Sequence, residues 1–176
     1  CRGIRYMRCM PALPDPLHPA IVHFPIAFLI AGAVVAVLAI FVRRWHLPWL
    51  AAIILVAGAL GSVAALITGE EEEHKVEPLA AAADHILEEH EEWGETTRNL
   101  ALLAALLAVA AAFTVRQPIV GRGLSIVTAV IALAAVYAVA EAGHYGGELV
   151  YRHGVGVNSS VTTPDTPPQQ RTRDDD

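Results

Sequence analysis

Four stretches of this chain, residues 20–42, 49–68, 99–115 and 124–143, contain no lysine or arginine and are almost wholly apolar. Each approaches the length of about 20 residues that crosses the hydrocarbon core of a bilayer as a helix. The side chains in them that commonly titrate near neutral pH are His23 and Glu141. A water-soluble four-helix bundle needs a polar stripe on every helix, and residues 31–42 and 101–112 offer none. The sequence therefore predicts an all-α integral membrane protein, a bundle of four spans in contact with lipid. Composition agrees: 55% of the 176 residues are hydrophobic and 17% are charged, against about 25% charged in soluble domains. With Cys1 and Cys9 its only cysteines, the chain has no disulfide framework, and its net charge of -6 argues against nucleic acid as a partner.

Orientation follows from the connections. Residues 43–48 and 116–123 hold Arg43, Arg44, Arg116 and Arg122 in 14 positions, while the other 82 non-spanning residues hold eight basic side chains. Cytoplasmic loops carry the excess of Lys and Arg, so the expectation is a multi-pass protein of a bacterial inner membrane with both termini outside. Trp45 and Trp49 would then lie in the inner aromatic belt. Arg2, Arg5 and Arg8 run against this assignment. Because the chain opens on Cys1, residues 1–9 are read as an extension upstream of a start at Met10, with a lipidated Cys1 as the alternative.

The expected organisation is an irregular extension over 1–16, the membrane domain over 17–157 and a disordered Ser/Thr/Pro-rich tail over 158–176. The connection 69–98 carries eleven acids against Lys75 and Arg98, yet Leu79, Ala83, Ile86, Leu87, His90 and Trp93 recur at helical spacing. This predicts an amphipathic helix between helices two and three that caps the outer end, with His90 on its apolar stripe and His85 on its wet face. Gly58, Gly61, Ala65 and Gly69 place small residues along one side of the second helix, as close packing in lipid requires.

Chemistry is suggested by position. His23 lies about one turn inside the first span, and an ionisable group there is a functional candidate by default. Tyr137, Glu141, His144 and Glu148 recur at intervals that put them on one face of the fourth helix. With both termini outside, His23 and His144 share a membrane depth, and the expectation is that they face each other as axial ligands of a b-type haem. Gly143, Gly146 and Gly147 would give the macrocycle close approach. The structural alternative is that the histidines only satisfy buried carbonyls. A third possibility uses Glu141 and His144 as a Glu-x-x-His transition-metal pair, though its other copy, Glu71 with His74, lies in the charged connector. A proton relay through Glu141 and Tyr137 is a further option. No hydrolase or phosphate-binding motif is present, and Ser62 and Ser125 sit where hydroxyls bond to helix carbonyls.

The stretch Leu17-His18-Pro19-Ala20-Ile21-Val22-His23-Phe24-Pro25-Ile26-Ala27, the Thr68-Gly69-Glu70-Glu71 helix exit, His90-Glu91-Glu92, and the closing run from Gly146 through Glu148, Arg152 and His153 to Val157 resemble a bacterial membrane-domain family, number 2231, over nearly the whole of 16–157. The resemblance implies four-helix inner-membrane proteins, some joined to Rieske iron-sulfur or cytochrome modules, and hence redox surroundings. Its polar positions fall here on His18, His23, His90 and His153, with Glu70 and His144 beside them. Two stacked sites are then expected, one embedded through His23 and His144, the other interfacial through a pair among His18, His90 and His153. The expected function is haem b binding and electron transfer near the outer face, with electrons received from a separate redox partner or the chain serving as a subunit of a larger membrane complex. The alternatives are a non-catalytic accessory subunit and a metal- or ion-handling protein using Glu141, His144 and Glu70.

Overall fold

The computed structural model describes residues 17–42, 46–73 and 81–155. The expectations for 1–16 and 158–176, and those resting on Trp45 and His74, lie outside the described residues. The described chain is helical: α1 (His18–Ile21), α2 (His23–Phe41), α3 (His46–Glu73), α4 (Ala81–Phe113) and α5 (Pro118–His153). α1 and α2 are one span interrupted at Val22. Pro25 has no N–H to give the carbonyl of Ile21, and its ring disfavours helical geometry just before it. Pro118 opens α5, and Gly154, at φ 67°, closes it in the left-handed conformation with its N–H on Val150 O at 3.1 Å.

α2 packs on α3, α3 on α4, α4 on α5 and α5 back on α2, closing a ring in which α2 and α4 are diagonal, as are α3 and α5. The seam is built from small residues at seven-residue spacing, the period of left-handed helix packing. Ala51, Gly58 and Ala65 in α3, Ala83, Thr97, Ala104 and Ala111 in α4, and Thr128, Ala135, Ala142 and Leu149 in α5 are all buried. The small-residue face of the second helix is turned inward as expected. A Cβ on Gly58 would lie 3.1 Å from Leu29, and one on Gly61 would lie 3.1 Å from Pro25. Ser62 and Ser125 donate to Ala59 O and Gly121 O at 2.8 and 2.9 Å, as their helical context predicted.

Large apolar side chains are outside: Leu106 is 68% and Ile53 65% exposed, whereas Leu29 and Leu55 are fully enclosed. A surface of that kind is stable against lipid and not against water. Four helices are long and apolar enough to cross a membrane. Two aromatic levels mark its limits. Trp49 meets Phe113 edge-on at 5.0 Å near one end, and Trp93 meets Tyr137 edge-on at 5.7 Å near the other. Twenty residues of α4 separate Phe113 from Trp93, about 30 Å at 1.5 Å per residue, which matches the hydrocarbon thickness of about 30 Å.

One difference from the expected architecture concerns the cap. The amphipathic stretch is helical, but it is the first part of α4 rather than a separate lid. Gly94 and Thr97 do not break the helix. Thr97 Oγ1 donates back to Trp93 O at 2.8 Å, and Gly94 leaves room for Leu66 of α3. Gly32 and Gly123 test the packing. A Cβ on Gly32 would stand 2.6 Å from the enclosed Leu55, whereas one on Gly123 meets nothing within 4 Å. Gly32→Val should destabilise the detergent-solubilised protein by about 1–3 kcal/mol through overpacking. Gly123→Ala should leave it unchanged or slightly more stable in thermal unfolding.

Candidate functional site

The seven-residue register that buries the seam also carries two histidines into it. Counting back from Gly32 and Pro25 gives His18; counting back from Ala111, Ala104 and Thr97 gives His90. The break at Val22 and the short α1 against α3 bring the His18 ring over Gly69. His90 lies over Gly146 of α5 in the same manner. A Cβ on Gly69 would be 3.2 Å from His18 Cε1, and one on Gly146 would be 2.9 Å from His90 Cε1. A side chain at either position would press on the ring, more so at Gly146.

Each ring is tied to the backbone one turn before its glycine. His18 Nδ1 is 2.8 Å from Ala65 O, and His90 Nδ1 is 2.8 Å from Ala142 O. A carbonyl oxygen can only accept, so each Nδ1 carries a proton and donates it. In a neutral imidazole this leaves the lone pair on Nε2. The two units, His18 with Ala65-x-x-x-Gly69 and His90 with Ala142-x-x-x-Gly146, are equivalent halves related across the bundle. They come from the diagonal helices and meet: the ring centroids are 6.3 Å apart and the planes cross at 87°. All four spans thus hold the pair. It sits about one turn beyond the Trp93 and Tyr137 level, where hydrocarbon gives way to headgroups.

The expected embedded pair is not formed. His23 and His144 are both exposed on the outside of their helices. Each lies two residues from a seam position, Pro25 and Ala142, which is about 200° around a helix of 3.6 residues per turn. The His144 ring packs instead against Tyr145 at 5.5 Å. Of the expected interfacial candidates, the structure brings together His18 and His90. His153 is exposed in the last turn of α5. Gly143 and Gly147 face open space, and Gly146 accommodates the His90 imidazole. Glu141 shares a face of α5 with Tyr137, and Glu70 is exposed near Glu91. Among the described residues, no group of three or more His, Cys, Asp or Glu side chains is placed to hold a metal ion. The carbonyls of Ala65 and Ala142 have no sequence signature of their own. The signal for them was the repeated Ala-x-x-x-Gly opposite a histidine on the seam register.

Acids surround the pair. Glu72 acts on His18 through its charge, Glu89 on Tyr145 in the same way, and Glu73 approaches Glu91 from α3. Glu91 lies beyond the outer aromatic level, outside the membrane-spanning part of α4. Partial loss of water around its carboxyl, then the hydrogen bond and charge of Glu73 and the charges of Glu70 and Glu88, push it up to about 7.

Residues 14–159 match the model of a family described as predicted membrane protein, DUF2231. No curated protein and no solved structure matches the chain.

Glu91 supplies a pH test. A carboxyl at its ordinary 4.5 when unfolded and near 7 when folded makes the folded state bind more protons between those values. Its contribution to stability therefore falls as pH rises through that window and is constant above it. Glu91→Gln should raise the melting temperature at pH 8 and make no difference at pH 4.5. Parallel curves for the two proteins across this range would show that Glu91 titrates normally.

Proposed function

As the chain belongs to DUF2231, a family of predicted membrane proteins, we propose from its own geometry that it binds a b-type haem through His18 and His90 and passes electrons at the acidic end of the bundle. The observation that carries this reading is the pair itself: two imidazoles 6.3 Å apart between centroids, both fixed by Nδ1–H to carbonyl bonds. With each Nδ1 committed to a carbonyl, His18 and His90 would hold the iron of a haem through their remaining ring nitrogens. A backbone carbonyl on the second ring nitrogen is the usual outer partner of a ligating histidine and fixes its tautomer.

The donor number favours haem over a bare ion. Tetrahedral zinc needs three or four protein or solvent ligands, whereas an iron already held by a macrocycle needs two axial ones. When bound, the group supplies one-electron transfer. The protein supplies two imidazoles held by backbone carbonyls, and the acids around them would favour the more positive oxidation state. The arginine-rich connections at the far end support placing the histidines on the outer side of a bacterial inner membrane, with both termini there.

A second reading has its own support. The His18 and His90 bonds link α1 to α3 and α4 to α5 without any ligand, so the pair would also serve a non-catalytic subunit of a larger complex as a structural pin. Absorption spectra decide between them. Protein expressed with haem available should show a Soret band and a reducible α-band. His18→Ala or His90→Ala should abolish them, while His23→Ala and His144→Ala should leave them intact. A colourless protein that loses only stability in the first two variants would establish the pin instead.

A further inference from the structure

At the end opposite the histidines the bundle opens in a cleft of about 190 Å³. All four spans contribute: Ala39 and Val42 from the end of the first, Pro48 from α3, Ala111 from α4, and Arg122 and Ser125 from α5. The walls are apolar towards α2 and polar along α5. Val42 and Leu38 are exposed and lead from the cleft along the lipid-facing side of α2.

The charge around this cleft is one-sided. The chain has no Asp or Glu between Asp15 and Glu70, nor between Glu95 and Glu141. Arg116 and Arg122 are exposed at the cleft end, and Arg43 and Arg44 lie in the connection between the first two spans. Among the described residues the arginine ion pairs are Arg98 with Glu95 and Arg152 with Glu148, both in the other half of the bundle. Along the helices, Glu95 and Glu141 are about 27 Å or more from this end at 1.5 Å per residue. That exceeds the screening length of about 8 Å several times over. Among the described residues, the positive charge at the cleft has no acidic side chain near it.

We propose that the cleft seats the phosphate headgroup of an anionic lipid from the adjoining leaflet, with Arg122 on the phosphate and an acyl chain along Val42 and Leu38. The complementarity is both electrostatic and apolar. A guanidinium suits a phosphate, and the hydrocarbon flank beside it suits a lipid and gives a soluble anion nothing. This site is independent of any cofactor at the histidine end.

The test uses the full-length protein in a zwitterionic detergent, titrated with phosphatidylglycerol or phosphatidylcholine of the same acyl chains. Native mass spectrometry reads the fraction carrying lipid. Phosphatidylglycerol should be retained preferentially, and Arg122→Gln should reduce its retention about fivefold, the effect of one basic side chain at an anionic lipid surface. Ala39→Met, which fills the cleft and keeps the charge, should reduce it as well, whereas Arg152→Gln should not. Arg122 is exposed, so its substitution leaves the packing intact and decides the matter even if Ala39→Met fails to fold. Equal retention of the two lipids, or full retention in Arg122→Gln, overturns the proposal. Displacement of the lipid by millimolar inorganic phosphate also overturns it, by identifying a soluble-anion site.

Discussion

Close approach between helix backbones is the constraint on which everything else in this protein depends. In lipid there is no water to drive apolar faces together, so helices associate through packing density and hydrogen bonds. Alanine and glycine along the seam bring the axes near enough for both. Leu29 fits against Gly58, and Leu55 stands over Gly32. The same proximity puts the carbonyls of Ala65 and Ala142 within 2.8 Å of imidazoles on neighbouring helices. A bulkier seam would hold the histidines too far out to reach them. Scaffold and site are therefore consequences of one packing solution.

Membrane insertion was legible in the sequence because partitioning into lipid sums over residues and needs no knowledge of neighbours. Depth was legible only in part: His144 lies between Ala142 and Gly146, level with His90 and His18, whereas His23 stands five residues further along the first span, about 7.5 Å at 1.5 Å per residue. Azimuth was the missing coordinate. Two residues along a helix turn a side chain to nearly the opposite face, and His23 and His144 each stand two residues from a buried position. The histidines that meet were readable only from the seam register, His18 with Pro25 and Gly32, and His90 with Thr97, Ala104 and Ala111. Carbonyl partners stay hidden because every residue has one. The continuity of α4 was obscured by Arg98 and the acids before it, which end the Lys- and Arg-free run at residue 99 although the helix continues through them.

The two halves of the chain repeat one device, a histidine from one helix laid on the Ala-x-x-x-Gly notch of the next. Repetition has a physical consequence that a single histidine lacks. Each ring is fixed by a different helix pair, so the distance between the rings is set by how the two pairs dock, across the α3–α4 and α2–α5 contacts. A change in that docking moves the rings apart as rigid units and leaves each Nδ1 bond intact. The site is thus a gauge of how the two helix pairs pack together, and a ligand joining the two Nε2 atoms would in turn lock the pairs together.

Charge segregation completes the division of labour between the ends. Carboxylates crowd the histidine end closely enough that Glu91 holds its proton to about 7, while the charged side chains described at the far end are Arg116 and Arg122. A field of this sign lowers the energy of positive charge between the imidazoles. It repels anions from that mouth and draws them to the other. Between the ends the seam is filled by Leu29, Leu55 and buried alanines, and the buried hydroxyls among the described residues, Ser62, Thr97, Ser125 and Thr128, are each spent on a carbonyl of their own helix. Coupling between them has to pass through the helices themselves, as changes in how closely the two pairs approach.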